Sequence, residues 1–369
     1  MTTLYISGKF LRQRTTGVQR FARGLVQALD EELMRARTAD RVVLLKPPAA
    51  QEIALRFIEQ RTCGTSIRSL NLWEQTALPW AARDGTLLCL SGSAPLLGGR
   101  RVPTIHDAAL YLHGQAYSRP FAAWYHLLFA TVTRRAPLLL TVSSNSAKEL
   151  AEHLPGRRFQ VVYNAAEHIL GVKPEPGIVA SLGLDRQRYL LAVASFNPTK
   201  NLSGLIRAYA RLPASTRPPL IIVGAANPAV FSGTSIQTDV PADVVFAGAV
   251  SDGELRALYE HALAFVFPSL YEGFGIPPLE AMHCGCPVIA SHASAIPEVC
   301  ADAALYFDGS STEDMALTLE RIIADADLRT ALIARGVQRS AQFSWRCSAA
   351  SLRDHLRGIG LLAEQTATF

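Results

Sequence analysis

Twice along the 369 residues, short apolar runs alternate with stretches of helical period, and this double alternation restricts the fold more than any other feature. In the first series Leu4 to Ser7, Val42 to Leu45, Thr86 to Leu90, Val102 to Ile105, Leu138 to Val142 and Val161 to Tyr163 read as strands, and Gly17 to Leu33 as a helix. In the second, Tyr189 to Ala194, Leu220 to Val223, Val244 to Phe246, Ala264 to Phe267, Val288 to Ala290 and Ala304 to Phe307 read as strands. Strands separated by helices at this spacing imply parallel βαβ units and doubly wound sheets. A Pro/Gly-rich stretch from Pro174 to Gly177 lies between the two series and reads as a linker. The expected organisation is α/β throughout, with one domain over 1–173 and a second over 178–342, facing each other across a cleft. Residues 343–369 then form a C-terminal helix, with an apolar period through Ala349, Leu352 and Leu356, able to cross back to the N-terminal domain.

A chain of this length exceeds one ordinary core, which agrees with two domains. Hydrophobic residues make up 49% and mean hydropathy is +0.16, yet no uninterrupted apolar stretch reaches membrane-spanning length. The start, MTTLYISGKF, lacks the charged and apolar regions of a signal peptide, so a cytoplasmic protein is expected, with peripheral contact to the inner face of the membrane left open. The formal charge of +5 suits an anionic partner but is too small and scattered to argue for nucleic acid. Six cysteines form no CxxC pair, and Cys284 and Cys286 straddle a helix end and a strand start, so reduced core cysteines are expected rather than zinc or disulfides.

One stretch stands apart. In FPSLYEGFGIPPLEAM, Phe267 to Met282, a buried strand runs into a turn of glycine, proline and aromatic residues and then into a helix beginning at Pro277-Pro278. Glu272 and Glu280 bracket the turn, and Glu280 falls in the first helical turn on this reading, so both carboxylates can face one crevice. Open α/β sheets bind ligands at the carboxyl ends of their strands, where helix N-termini offer N–H groups to anions. The plain alternative is that Glu280 complements the helix dipole and Glu272 is a solvated loop residue.

Other strand ends carry unusual residues as well. In SFNPTKNLSGLIRAY, Lys200 sits just before a helix starting near Asn201, suited to a phosphate and electrostatically out of place at a helix start otherwise. Gly17 lies between a strand and a helix and can bring backbone close to a ligand, or be an ordinary turn. His106 ends VPTIHD, where acid/base or hydroxyl-binding roles compete with a turn histidine bonded to backbone. Gly248 and Val250 belong to a small-residue strand end, FAGAV, that admits a flat ring against the backbone.

Taken together, Glu272 and Glu280 in EGFGIPPLEAM, Lys200-Asn201 in NPTKN, VVYN at 161–164, VSSNSAKEL at 142–150 and FSW at 343–345 resemble the retaining glycosyltransferases of family 4, which have the GT-B fold of two Rossmann-like domains. The resemblance implies a nucleotide-diphosphate sugar as substrate rather than cofactor. It also implies a glycan or lipid-linked oligosaccharide acceptor, and chemistry without metal. It assigns ribose binding to Glu280 and the transferred sugar to Glu272 and His106. Diphosphate binding falls to Lys200 with Asn201 beside it, to the Gly17 loop, and to backbone from Gly273, Phe274, Gly275 and Ile276. Many relatives carry an arginine a few residues before the lysine; here the stretch is Ala194 to Asn197, which leaves the leaving-group charge to Lys200 and to an arginine from elsewhere, with Arg20 as a candidate. The motif pair is most similar to bacterial polysaccharide mannosyltransferases, which favours GDP-mannose as donor, with UDP-sugars as the alternative. An NDP-sugar epimerase of the same fold and a non-catalytic two-lobed nucleotide-sugar binding protein are the rival readings. Tyr111 to Arg135 interleaves aromatic and basic residues, as a helix resting on an anionic membrane would, or as a core helix with a charged end.

Overall fold

The computed structural model describes residues 3–65, 69–184, 188–195, 197–224 and 240–363. Phe196, in the stretch before Lys200, and residues 364–369 of the C-terminal segment lie outside them. The chain divides into two compact units, Met1–Asn164 with Ser344–Phe369, and Ala165–Phe343.

In the first unit, β1 (Thr3–Ser7), β2 (Val42–Lys46), β3 (Glu59–Thr62), β4 (Gly85–Cys89) and β5 (Arg100–Pro103) form a parallel sheet in the order β3-β2-β1-β4-β5. A parallel pair, β6 (Leu139–Thr141) and β7 (Phe159–Val161), joins it through a bridge between Thr104 and Leu140. The central strands are apolar because both of their faces are covered. By contrast β3, sequence EQRT, is an edge strand with exposed ends, which is why its residues gave no apolar signal. Against the sheet lies the helix Gly17–Arg35, burying Phe21, Leu25, Leu29 and Leu33 at four-residue spacing. Thr16 and Gln19 cap its start reciprocally. The helix Trp345–Gly358 packs on it, with Ala349, Leu352 and Leu356 buried. Trp345 lies over Gly24, where a Cβ would collide with the indole, and Arg353 reaches Glu32 at 2.9 Å.

The second unit holds β8 (Leu190–Val193), β9 (Leu220–Val223), β10 (Val244–Gly248), β11 (Ala264–Phe267), β12 (Val288–Ser291) and β13 (Ala304–Phe307). They pair in parallel in the order β10-β9-β8-β11-β12-β13. The chain winds outward from β8 in one direction and then from β11 in the other, so the strand order reverses between these two neighbours. The first sheet reverses in the same way between β1 and β4. Loops leaving the two strands at such a point diverge to opposite faces and open a crevice.

The break between units falls after Asn164, ten residues before the expected linker. Residues 165–175 are held in the second unit instead. Arg256 donates to the carbonyls of Leu170 and Val172 at 2.9 and 2.8 Å, and Glu175 N–H donates to the Gly253 carbonyl at 3.0 Å. The Pro/Gly signature at 174–177 thus marks a turn clamped onto the helix Asp252–His261.

Candidate active site

At the end of β8 the Asn197 side chain accepts the Thr199 N–H and starts a single 3-10 turn, Pro198–Lys200. Asn201 follows with φ +51°, caps the helix Leu202–Ala210, and donates to the Gly309 carbonyl at 2.8 Å. Gly204 leaves room for that asparagine side chain, since any Cβ would overlap it. The neighbouring loop, after β11, is stitched to this one by Leu270 N–H donating to the Thr199 carbonyl at 2.7 Å. Both loops therefore leave the reversal point as one piece.

Lys200 and Glu272 meet across it. The Lys200 ammonium lies 2.7 Å from Glu272 Oε1, and Ser294 Oγ accepts the Glu272 N–H at 2.8 Å. The two side chains keep 27% and 12% of their exposure, so the pair remains open to an incoming ligand. An ion pair that stays partly in contact with solvent adds little to stability.

The turn that follows is set by Gly275, whose φ of +105° lies in the region glycine favours, and which caps the helix Ile276–His283. Because the helix begins at Ile276, not Pro277, Glu280 is its fifth residue and stands in the second turn, a correction to the first-turn placement. The residue is only 4% exposed. Oε1 takes the His168 Nε2 at 2.8 Å and Oε2 takes the Tyr259 hydroxyl at 3.1 Å. Glu272 and Glu280 therefore have separate partners. Phe274 and Ile276 are buried, Phe274 with its edge toward Phe343, so what they offer a ligand is backbone. Gly248 ends β10 with φ +70°; its carbonyl accepts the Gly224 N–H at 2.6 Å, and nothing lies within 4 Å of where a Cβ would stand. Val250, half-buried, lies just beyond it.

Gly17 and His106 belong to the first unit. Gly17 is the exposed first residue of its helix. His106 stands three residues beyond the end of β5, with Nε2 2.9 Å from the Leu90 carbonyl and its ring 5.0 Å from Phe21, edge-on. A carbonyl only accepts, so Nε2 carries the proton and Nδ1 is left as an acceptor. Burial pushes the imidazole down to about 4 against a smaller opposing pull from the Leu90 carbonyl, so the ring is neutral at pH 7.

Asp325 caps the helix Ala326–Ser340 by accepting the Leu328 N–H at 2.8 Å. Among the described residues no group of three or more His, Cys, Asp or Glu gathers in a metal-binding cluster. The six cysteines are free; burial pushes Cys284 up to about 12 and raises the fully buried Cys286 as well. His168, Tyr259 and Ser294 escaped the sequence reading, because no motif or spacing links them to the glutamates they touch.

The family of group 1 glycosyl transferases matches residues 178–339, the greater part of the second unit. The O-antigen chain mannosyltransferase B of Escherichia coli is 31% identical over 264 residues, covering 67% of this chain and 67% of that protein. Some relatives are much longer: the chain spans 32% of the serotype-specific mannosyltransferase WbdA of E. coli. Sucrose-phosphate synthase of Thermosynechococcus elongatus superposes with a TM-score of 0.75 at 19% identity, over 97% of this chain and 99% of that one. Anabaena HepE, solved with UDP-glucose, superposes at 0.70 and 17% identity, over 97% and 100%. The doubly wound sheets and the matched second unit agree with these likenesses, and the chain belongs to the group 1 glycosyltransferases, with their GT-B fold.

Proposed function

We propose that the protein is a retaining mannosyltransferase, moving mannose from GDP-mannose to a glycan or lipid-linked glycan in the assembly of a bacterial-type surface polysaccharide. The observation that carries the transferase reading is the partly exposed Lys200–Glu272 pair at the point where the second sheet reverses. The name of the E. coli relative supports mannose.

In this reading the donor diphosphate takes Lys200, and Glu272 turns to hydroxyls of the sugar. Glu280 binds the ribose. The backbone at Gly275 and Ile276, with Asn201 alongside, lies against the phosphates, and the Gly248–Val250 shelf takes the base. The roles of Gly17 on the diphosphate and His106 on the sugar come from the family resemblance. A neutral His106 suits its part, because a lone pair at Nδ1 favours positive charge developing on the sugar where an imidazolium would oppose it. The bond from the anomeric carbon to the phosphate oxygen breaks, and the acceptor oxygen bonds to the same face. The acceptor proton passes to the departing phosphate oxygen, whose charge Lys200 holds without a metal.

The acceptor is proposed to lie at an anionic membrane surface. The helix Arg119–Val132 leaves Phe121, Trp124 and Leu127 exposed, with Arg119 at its start and exposed Arg134 and Arg135 just past its end. No helix among the described residues is long and apolar enough to cross a membrane. Flotation with phosphatidylglycerol vesicles, but not phosphatidylcholine, is expected, and Phe121→Ser with Leu127→Ser should abolish it.

The reaction is tested by incubating the enzyme with GDP-mannose, with and without oligosaccharide acceptors, in EDTA. An α-linked mannoside formed only with acceptor, its configuration read from the anomeric signals in NMR, is the expected result. A β-linked product overturns retention, loss of transfer restored by magnesium overturns the metal-free mechanism, and a changed nucleotide sugar without acceptor identifies an epimerase.

A further inference from the structure

Glu280 accepts one hydrogen bond on each oxygen from within its own unit, from a histidine 112 residues upstream and from a fully buried tyrosine. Each carboxylate oxygen has two acceptor sites, so one remains on each. That remainder matches a vicinal diol, which brings two O–H donors side by side. The two partners are also held firmly. Tyr259 projects from the helix Asp252–His261, its ring packed perpendicular to that of Phe265 of β11 with centroids 5.3 Å apart, and burial with the adjacent Glu280 charge keeps its hydroxyl protonated and therefore a donor. His168 sits in the 3-10 turn Glu167–Ile169, in the segment that Arg256 ties to the second unit. With Nε2 on the carboxylate, its Nδ1 is buried and has no hydrogen-bond partner. A buried polar atom left unmatched costs stability. It is tolerated here in an arrangement that aims the other nitrogen at Glu280.

We propose that His168 and Tyr259 are positioning residues for donor recognition, fixing the Glu280 carboxylate so that its remaining acceptor sites meet the 2′- and 3′-hydroxyls of the nucleotide ribose. This rests on the assignment of Glu280 to ribose made above, and deepens it by naming what orients the carboxylate.

The test separates the two ideas. Calorimetry measures affinity for GDP and for 2′,3′-dideoxy-GDP, and for the uridine pair if UDP binds more tightly. The unaltered enzyme should prefer the ribonucleotide by about tenfold or more, since two charge-assisted hydrogen bonds are at stake. Glu280→Ala should remove that preference. Tyr259→Phe, which keeps the ring packing, and His168→Ala should each reduce it severalfold while leaving affinity for the dideoxy form within about twofold. His168→Gln, which restores an N–H donor, should recover part of it. A merely structural triad would lower the urea midpoint in these variants and leave the ratio unchanged, and that result overturns the proposal. If the unaltered enzyme shows no preference, or Glu280→Ala keeps it, the ribose assignment itself falls.

Discussion

Each sheet begins with a strand followed by a lysine bound to a glutamate at 2.7 Å, and the two pairs have opposite surroundings. After β1, Lys9 is enclosed: it donates to Glu74 and also to Asn71 and Ser93, both at 3.0 Å, and Ser93 donates to the second oxygen of Glu74 at 2.7 Å. Both charged side chains are 3% exposed. After β8, the Lys200–Glu272 pair is partly open. The same two residue types at the same separation make an enclosed brace in one sheet and a partly open contact in the other. What differs is solvent and the number of further bonds, because removing one member of a dry pair strands a charge, whereas a wet one is rescued by water.

The largest effect should come from breaking the enclosed pair. Lys9→Met is expected to destabilise the first unit by about 3–5 kcal/mol, and adding Glu74→Leu should return at least half, measured by urea unfolding. A cost below about 1 kcal/mol for the single change would erase the contrast.

Next in size, Lys200→Ala should lower turnover about a hundred- to a thousandfold, equivalent to about 3–4 kcal/mol in the transition state. The urea midpoint should barely move. Initial rates at saturating donor, with the melt on the same preparation, test both halves.

His106, bonded to Leu90 beyond the end of β4, gives an intermediate case. Its folded value of about 4 lies below the ordinary 6.5, so the unfolded chain binds more protons between these limits. Stability from this group is complete above pH 6.5, falls as pH drops towards 4, and levels off below. Full desolvation would make that span worth about 3 kcal/mol, and the ring's partial exposure makes it less. His106→Asn should flatten this part of the pH dependence of thermal unfolding.

The smallest expected quantity is the coupling of Lys200 to Glu272 in a double-mutant cycle on stability, below about 1 kcal/mol, against several for Lys9 and Glu74.

Legibility followed the same division between dry and wet. The strands of the second sheet were read to within two residues at either end, because strands covered on both faces are written as apolar runs. The edge strand β3 was missed, and β5 lies two residues upstream of its apolar stretch because Arg100 and Arg101 supply its first pairings. At the candidate site, Lys200 and Glu272 stood out as residue types unusual in loops leaving strands, and Glu280 through its place just past a glycine- and proline-rich turn. The bond from His168 to Glu280 spans 112 positions and leaves no spacing to read. The helix start at Ile276 was displaced by the two prolines, which occupy its second and third positions while Gly275 makes the cap.

The C-terminal helix has a consequence for the order in which the protein can be made. Residues 165–343 leave the ribosome before residues 344–358, so the second unit is complete while the first still lacks a helix. Until then the helix Gly17–Arg35 has an empty groove at Gly24, Phe21 lacks the indole 6.3 Å away, and Glu32 lacks Arg353. At ordinary elongation rates that interval lasts about ten to forty seconds, long enough for chaperones to engage the nascent first unit. The part synthesised first is thus the part finished last, and slow translation of the middle of the chain prolongs the exposure of its beginning.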